Sequence, residues 1–384
     1  MTRAFALLSA PLWMSLALAG STAFAQPTGS NPAEPAAPTA LSTPPPAPAP
    51  APAPTLAPSM RLVLNNLLVL RLNPVGLEDQ IRFGMQQRLS DAGDRPLFRD
   101  TFVFAGIAPS INAAFDKIGP SVELQPLSIF NLRVGFEYMR LFGTFGFLQS
   151  FASAADEYDD KRLAACSTRS ALEKCTYQQA DGTVVTGATD VRNTPAAGLH
   201  LMIEPVLQAK LGPVALRNKL AIEYWDMGTQ QGGRAFYDVT LDTLVPRRGW
   251  VIANDLDVAY ATRFRLTAGL RYSVVQPIYQ DSEFRPAPTA GLTPIEDRAT
   301  ADNTVQRLGP VVSYTFFDRG YTGFNKPSLL LVVAWYLDHR YRAGQAAAAI
   351  LPGVFVQSPA MPYIVLGFSV QSDLINRQDN RRRS

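Results

Sequence analysis

Residues 328–342, SLLLVVAWYLDHRYR, divide by parity into two sets. Leu329, Leu331, Val333, Trp335, Leu337, His339 and Tyr341 form an apolar set that ends in aromatics. Ser328, Leu330, Val332, Ala334, Tyr336, Asp338, Arg340 and Arg342 begin small and end charged. Successive strand residues face opposite sides, so the stretch predicts a strand with one apolar face and one increasingly polar face. A tilted strand crosses a bilayer in ~9–11 residues, and this run can do so with overhang. Parity assigns His339 and Tyr341 to the lipid side at headgroup level, and Asp338 and Arg340 to the lumen.

The same alternation recurs along most of the chain. Residues 60–72 and 77–89 alternate cleanly around the turn composition Asn73-Pro74-Val75-Gly76. Residues 101–113 alternate less well, because Phe102, Val103 and Phe104 are consecutive. Residues 121–142 read as one long strand with an irregular start at Pro126, which lacks the N–H of a ladder bond. Residues 198–210, 214–224, 250–262, 264–278, 304–317 and 361–374 each set an apolar face against a polar one, whereas 236–245 is a poor strand that could belong to a loop. The prediction is an all-β, antiparallel up-and-down transmembrane barrel of about 12 strands, with 10 as the alternative. Counting 12 puts the long polar loop 143–197 after the fourth strand, on the side where bacterial barrels have short turns. Dropping 60–72 and 236–245 together removes that conflict.

Composition bears on compartment. Arg3, the apolar run 4–19 and Ala23-Phe24-Ala25 make residues 1–25 a secretory signal peptide cut before Gln26. Residues 26–59 are a Pro/Ala-rich tract containing PPPAPAPAPA, which predicts a disordered, extended periplasmic linker. The barrel then occupies 60–376, and 377–384 is a polar tail. No later run approaches the ~18 consecutive apolar residues of a transmembrane helix. Only helices and closed barrels satisfy their backbone hydrogen bonds in lipid. Residues 60–376 thus resemble Gram-negative outer-membrane β-barrel proteins as a class. That resemblance implies residence among outer-membrane lipids, and insertion by the outer-membrane assembly machinery with periplasmic chaperones. Many such barrels end in an aromatic residue as an assembly signal; here Ser384 follows an arginine run and Phe368 is the last aromatic, so an internal or atypical insertion signal is expected.

Charge and candidate chemistry sharpen the function only partly. The net charge of +3 offers no footprint for nucleic acid. Cys166 and Cys175, the only two cysteines, lie close together in a polar segment of an exported chain and predict a disulfide; no His lies near them, so no metal site is expected. Arg82, Arg133, Glu137, Glu204, Arg217, Lys219, Glu223, Asp255, Asp257, Arg265, Arg271, Arg307, Asp338 and Arg340 fall at inward positions and are the candidate lumen-lining residues. Mixed charges in a narrow lumen either pair with one another or form a selective eyelet. A hydrolase would need Ser activated by His. Of the two histidines, His200 is inward with Glu204 four residues on, and no Ser lies two residues from either on the same face. An omptin-like protease would need cooperating Asp and His, but the neighbours Asp338 and His339 point to opposite faces. No catalytic residue and no cofactor are expected. The favoured reading is a porin-like pore or transport channel for small solutes. A non-conducting structural or surface-interaction barrel is the alternative, and a barrel-embedded hydrolase the least favoured.

Overall fold

A computed structural model describes residues 58–377 apart from internal stretches, the longest being 164–175 and 285–301. The predicted signal peptide, nearly all of the Pro/Ala tract, the polar tail after Arg377 and the cysteine pair lie outside the described residues. The strands form a closed antiparallel barrel of 12 in chain order: β1 (Met60–Leu72), β2 (Gly76–Arg88), β3 (Phe102–Ile107, continued by Ser110–Asn112), β4 (Phe115–Ile118, continued by Pro120–Leu127), β5 (Phe130–Leu141) and β6 (Ala196–Leu211). β7 (Val214–Met227), β8 (Arg248–Ala261), β9 (Leu266–Ile278), β10 (Val305–Thr315), β11 (Asn325–Asp338) and β12 (Tyr363–Arg377) follow. Each strand pairs with its chain neighbours, and β1 closes the ring on β12 from Met60↔Arg377 to Leu72↔Ile364. Closure leaves no sheet edge.

Alternation decides the faces. Leu68, Leu70, Phe83, Phe136, Tyr138, Val258, Leu270, Leu331, Trp335 and Leu366 are exposed on the outside, the apolar belt a bilayer requires. The opposite parity carries the charges inward.

The expected strand number is right, but two of its members are not those expected. Residues 121–142 are not one strand. They fold at Ser128-Ile129 into the hairpin β4–β5, with Leu124 opposite Leu132 and Leu127 opposite Phe130. Even positions pair with even positions as far as Leu124↔Leu132, and a register shift between Leu124 and Leu127 leads into the turn, so the outward set stays even on both sides and alternation does not mark the turn. The turn is pinned from outside the pattern: Ser128 N–H donates to Leu97 O at 2.8 Å, and Ser128 Oγ donates to Pro96 O at 2.9 Å. Conversely, 236–245 is not a barrel strand. Ala235–Asp238 and Thr243–Pro246 pair as a hairpin in a separate small sheet. The exchange moves the long loop from after the fourth strand to after the fifth. The turns β2–β3, β4–β5, β6–β7, β8–β9 and β10–β11 and both barrel ends now share one rim, and the long loops share the other.

Phe104 explains the weak alternation of β3. It faces inward, fully buried, and its ring lies against the facing Gly84 and Gly106, with the Arg82 guanidinium 4.0 Å above its centre. A Cβ on Gly106 would sit 2.1 Å from Phe83 O and 2.8 Å from the Phe104 ring. Only glycine permits this backbone and ring approach.

Candidate functional site

The inward parity is not polar throughout. Near the long-loop rim it turns apolar on six strands: Phe115 of β4, Met139 and Leu141 of β5, Trp225 and Met227 of β7, Val251 of β8, Val275 of β9 and Val305 of β10. Phe236, Leu241 and Val245 of the inner hairpin pack into this ring. All eight strand residues of the hairpin are buried. Its other side meets Phe151, Ala154, Tyr158 and Phe284 from neighbouring loops. Burial of each large apolar side chain is worth about 1.5–3 kcal/mol, so the hairpin is a packed cap across the long-loop end.

A buried polar knot ties the cap to the wall. Asp242, at the hairpin turn, has φ 61° and is 1% exposed. Its carboxylate receives Tyr237 OH at 2.6 Å and Arg342 Nε at 2.7 Å, and Tyr336 OH lies 2.7 Å away. Arg342 also donates to Asn73 Oδ1 at 3.0 Å, linking the knot to the β1–β2 turn. His339 Nδ1 accepts the backbone N–H groups of Tyr341 and Arg342, each at 3.0 Å, which leaves Nε2 to donate to Asp242 O at 2.9 Å. Burial alone would raise the Asp242 acid, but the Arg342 guanidinium and the His339 imidazole outweigh it and hold it well below the usual carboxylate range.

This placement overturns the expectation for His339, which is 3% exposed inside the protein rather than on the lipid side. Gln306 pairs with Asp338 but Arg307 with Tyr336, so the register slips at Leu337. A one-residue slip exchanges the two faces of everything beyond it. Asp338 accordingly leaves the lumen set: it accepts Gln306 Nε2 at 3.2 Å, and Gln306 in turn accepts Tyr272 OH. Arg340 lies beyond the strand end and donates to Asp156 O and Ala155 O in the cap rather than lining the lumen.

Below the cap lies a chamber of about 740 Å3. Arg82, Arg133, Glu137, Glu204, Lys219, Glu223, Asp255, Arg271 and Arg307 are among the residues around it. Most are paired. Arg82 holds Glu123, and Arg133 meets Glu204 at 3.1 Å. Lys219 lies 3.3 Å from Asp255 and 3.8 Å from Glu204. Arg271 grips Asp257 with two bonds of 2.6 and 2.7 Å, and Arg217 approaches the same carboxylate at 3.8 Å. Arg217 and Asp257 thus pair on the inner wall without bordering the chamber. Arg265 is a correction: it sits in the exposed short turn before β9 with φ 64° and donates to Phe316 O at 3.0 Å. The turn takes it out of the alternation that parity assumed.

His200 has partners other than the expected Glu204. Its Nδ1 lies 3.0 Å from Glu137 and its Nε2 3.1 Å from Glu223, both on adjacent strands, and its ring stacks on Trp225 at 3.9 Å. Carboxylates occupy both ring nitrogens. Sequence reasoning passed over Lys117, Trp225, Tyr363, Asp242 and Arg342. The turn to apolar inward positions at successive strand ends was the available signal for the cap. No local pattern marks Asp242, whose partners come from elsewhere in the chain.

A second cavity of about 280 Å3 opens toward the short-turn rim and shares Asn65, Arg82, Lys326 and Gln371 with the chamber. Arg61, Arg88 and Arg99 line it as well.

No family model and no curated protein matches the chain. Among solved structures it is similar to the β-domain of the Bordetella autotransporter BrkA, with 10% identity over 83% of this chain and 100% of that one, TM-score 0.38. It is also similar to the translocator domain of the autotransporter NalP from Neisseria meningitidis, with 8% identity over 82% and 87% of the two chains, TM-score 0.32. The Ralstonia pickettii toluene transporter TbuX gives 7% identity over 83% and 90%, TM-score 0.32. The architecture rests on the strand pairings themselves, which are those of a closed, 12-stranded antiparallel barrel of the outer-membrane class.

Proposed function

We propose that this barrel is a gated channel for small polar solutes in the Gram-negative outer membrane, with its long-loop end outside the cell and shut in the state described here. The signal peptide would export it, and the assembly machinery would insert it. The observation that carries the reading is the inner hairpin: all eight of its strand residues are buried across one end of a chamber lined by charges. A barrel with a purely structural task has no need of a chamber of this size and polarity, and a freely diffusive porin has no place for a packed apolar cap. The chemistry is transport rather than catalysis, because the one lumen imidazole is held by Glu137 and Glu223.

Planar-bilayer recording tests the proposal. The wild-type chain should be mostly closed, with rare openings. A variant whose residues 235–246 are replaced by a short Gly-Ser linker should give frequent or long-lived conductance steps. Steady wild-type steps of porin type would defeat the gate. A folded linker variant that never conducts would favour the non-conducting structural barrel instead.

A further inference from the structure

Arg307 differs from the other chamber arginines. Arg71, Arg82, Arg133 and Arg271 each hold a carboxylate. Arg307 is 6% exposed, and no carboxylate of the described residues lies within ion-pair distance of it. Its Nε and Nη1 are shielded and have no hydrogen-bond partner. Asp242 and Asp255 act on it only through space, and both are engaged elsewhere: Asp242 by Arg342 at 2.7 Å, Asp255 by Lys219 at 3.3 Å and Ser273 Oγ at 2.7 Å.

What Arg307 does have is aromatic rings. Its guanidinium carbon lies 4.2 Å from the Tyr363 ring centre and 5.7 Å from that of Tyr336. A guanidinium stays charged at every physiological pH, and burying it unpaired is costly. Cation–π contacts offset part of that cost. They are not hydrogen bonds, however, and Nε and Nη1 still lack an acceptor. A guanidinium edge is shaped for two-point recognition of a carboxylate or phosphate.

The cap lies across the long-loop end, while on the short-turn side the second cavity, bordered by Arg61, Arg82, Arg88, Arg99 and Lys326, adjoins the chamber at Asn65, Arg82, Lys326 and Gln371. The chamber's volume of about 740 Å3 falls in the range of small-molecule sites, roughly 300–1,000 Å3.

We propose that Arg307, fixed between Tyr363 and Tyr336, is the binding residue for the carboxylate or phosphate group of a small organic anion that enters the chamber from the short-turn end. This rests on reading the chamber as a solute site, but it does not require that the cap ever open.

Calorimetry on the full chain in uncharged detergent, at fixed ionic strength, separates the two. Inorganic phosphate, citrate and sucrose are the probes, and the first two distinguish phosphate from carboxylate as the preferred group. Wild type should bind at least one anion and not sucrose. Arg307→Met should weaken that binding tenfold or more. Arg307→Lys keeps the charge but loses the two-point fork, and should weaken it severalfold. Arg263→Gln, at an exposed turn, should change nothing. If Arg307→Met does not fold, Arg307→Lys decides: unchanged affinity overturns the proposal. Failure of the wild type to bind either anion, or equal binding by a folded Arg307→Met, also overturns it. None of these outcomes depends on conductance, so the gate stands or falls separately.

Discussion

Asp242 joins the cap to the wall through one carboxylate, and removing it takes from the buried Arg342 guanidinium the acceptor that both its Nε and its Nη2 reach. Breaking a buried pair from one side costs roughly 3–5 kcal/mol, whereas replacing both partners by apolar groups costs far less. Asp242→Ala should therefore destabilise the cap, seen as more frequent channel opening and faster proteolysis of the inner hairpin. Asp242→Asn keeps the left-handed turn and an acceptor for the two tyrosines while losing the charge, and should retain more of the closed state than Asp242→Ala. The pH dependence has a definite sign. A carboxyl held below its ordinary value contributes stability that is complete above ~4 and is lost as the pH falls through the folded value. Asp242 is held in that sense, so the cap should stay shut from about pH 8 to pH 5 and loosen only in stronger acid. Opening at pH 6 would assign the switch to another group. A second test concerns Gly106, where an added Cβ meets Phe83 O at 2.1 Å and Gly84 Cα at 2.7 Å. Backbone atoms cannot step aside as side-chain ends do, so Gly106→Val should lower the urea midpoint by an overpacking cost of about 1–3 kcal/mol. Gly76→Ala meets nothing within 4 Å and serves as the neutral control.

Strand hairpins show what alternation can and cannot report. It defines β1, β2 and β6–β12 because each presents one face to lipid and one to the lumen. It is blind to the turn at Ser128-Ile129, whose register keeps even positions facing out on both sides. It also undervalues the inner hairpin, which is buried on both faces and so has nothing to alternate between. At the end of β11 it misleads, because the register slip opposite Gln306 and Arg307 turns His339 inward. The resulting topology can be checked by labelling. In a Cys166→Ser, Cys175→Ser background, Phe264→Cys lies in the short turn between β8 and β9, and Asp281→Cys lies beyond β9 on the long-loop side. With a membrane-impermeant maleimide, Asp281→Cys should label in intact cells and Phe264→Cys only after lysis. The reverse pattern would invert the barrel and with it the direction of entry to the chamber.

At the scale of the whole molecule, charge is arranged as a girdle inside a closed ring, with an apolar cap at one end. The barrel class and the approximate strand number were legible in the sequence. The reason is that a period of two against lipid is a local rule that each strand obeys by itself. The cap, the pairing of His200 with Glu137 and Glu223, the knot around Asp242 and the unpaired edge of Arg307 were not legible. Each depends on which strands stand side by side, on a one-residue register and on a hairpin folded into the lumen. Those relations bring together residues far apart in sequence, as Asn73, Asp242 and Arg342 are. The sequence by itself determined that this chain makes a membrane barrel. Only the tertiary structure decided that a buried hairpin lies across one end and which guanidinium, among the described residues, has no carboxylate beside it, because closure and pairing are properties of the ring and not of any strand within it.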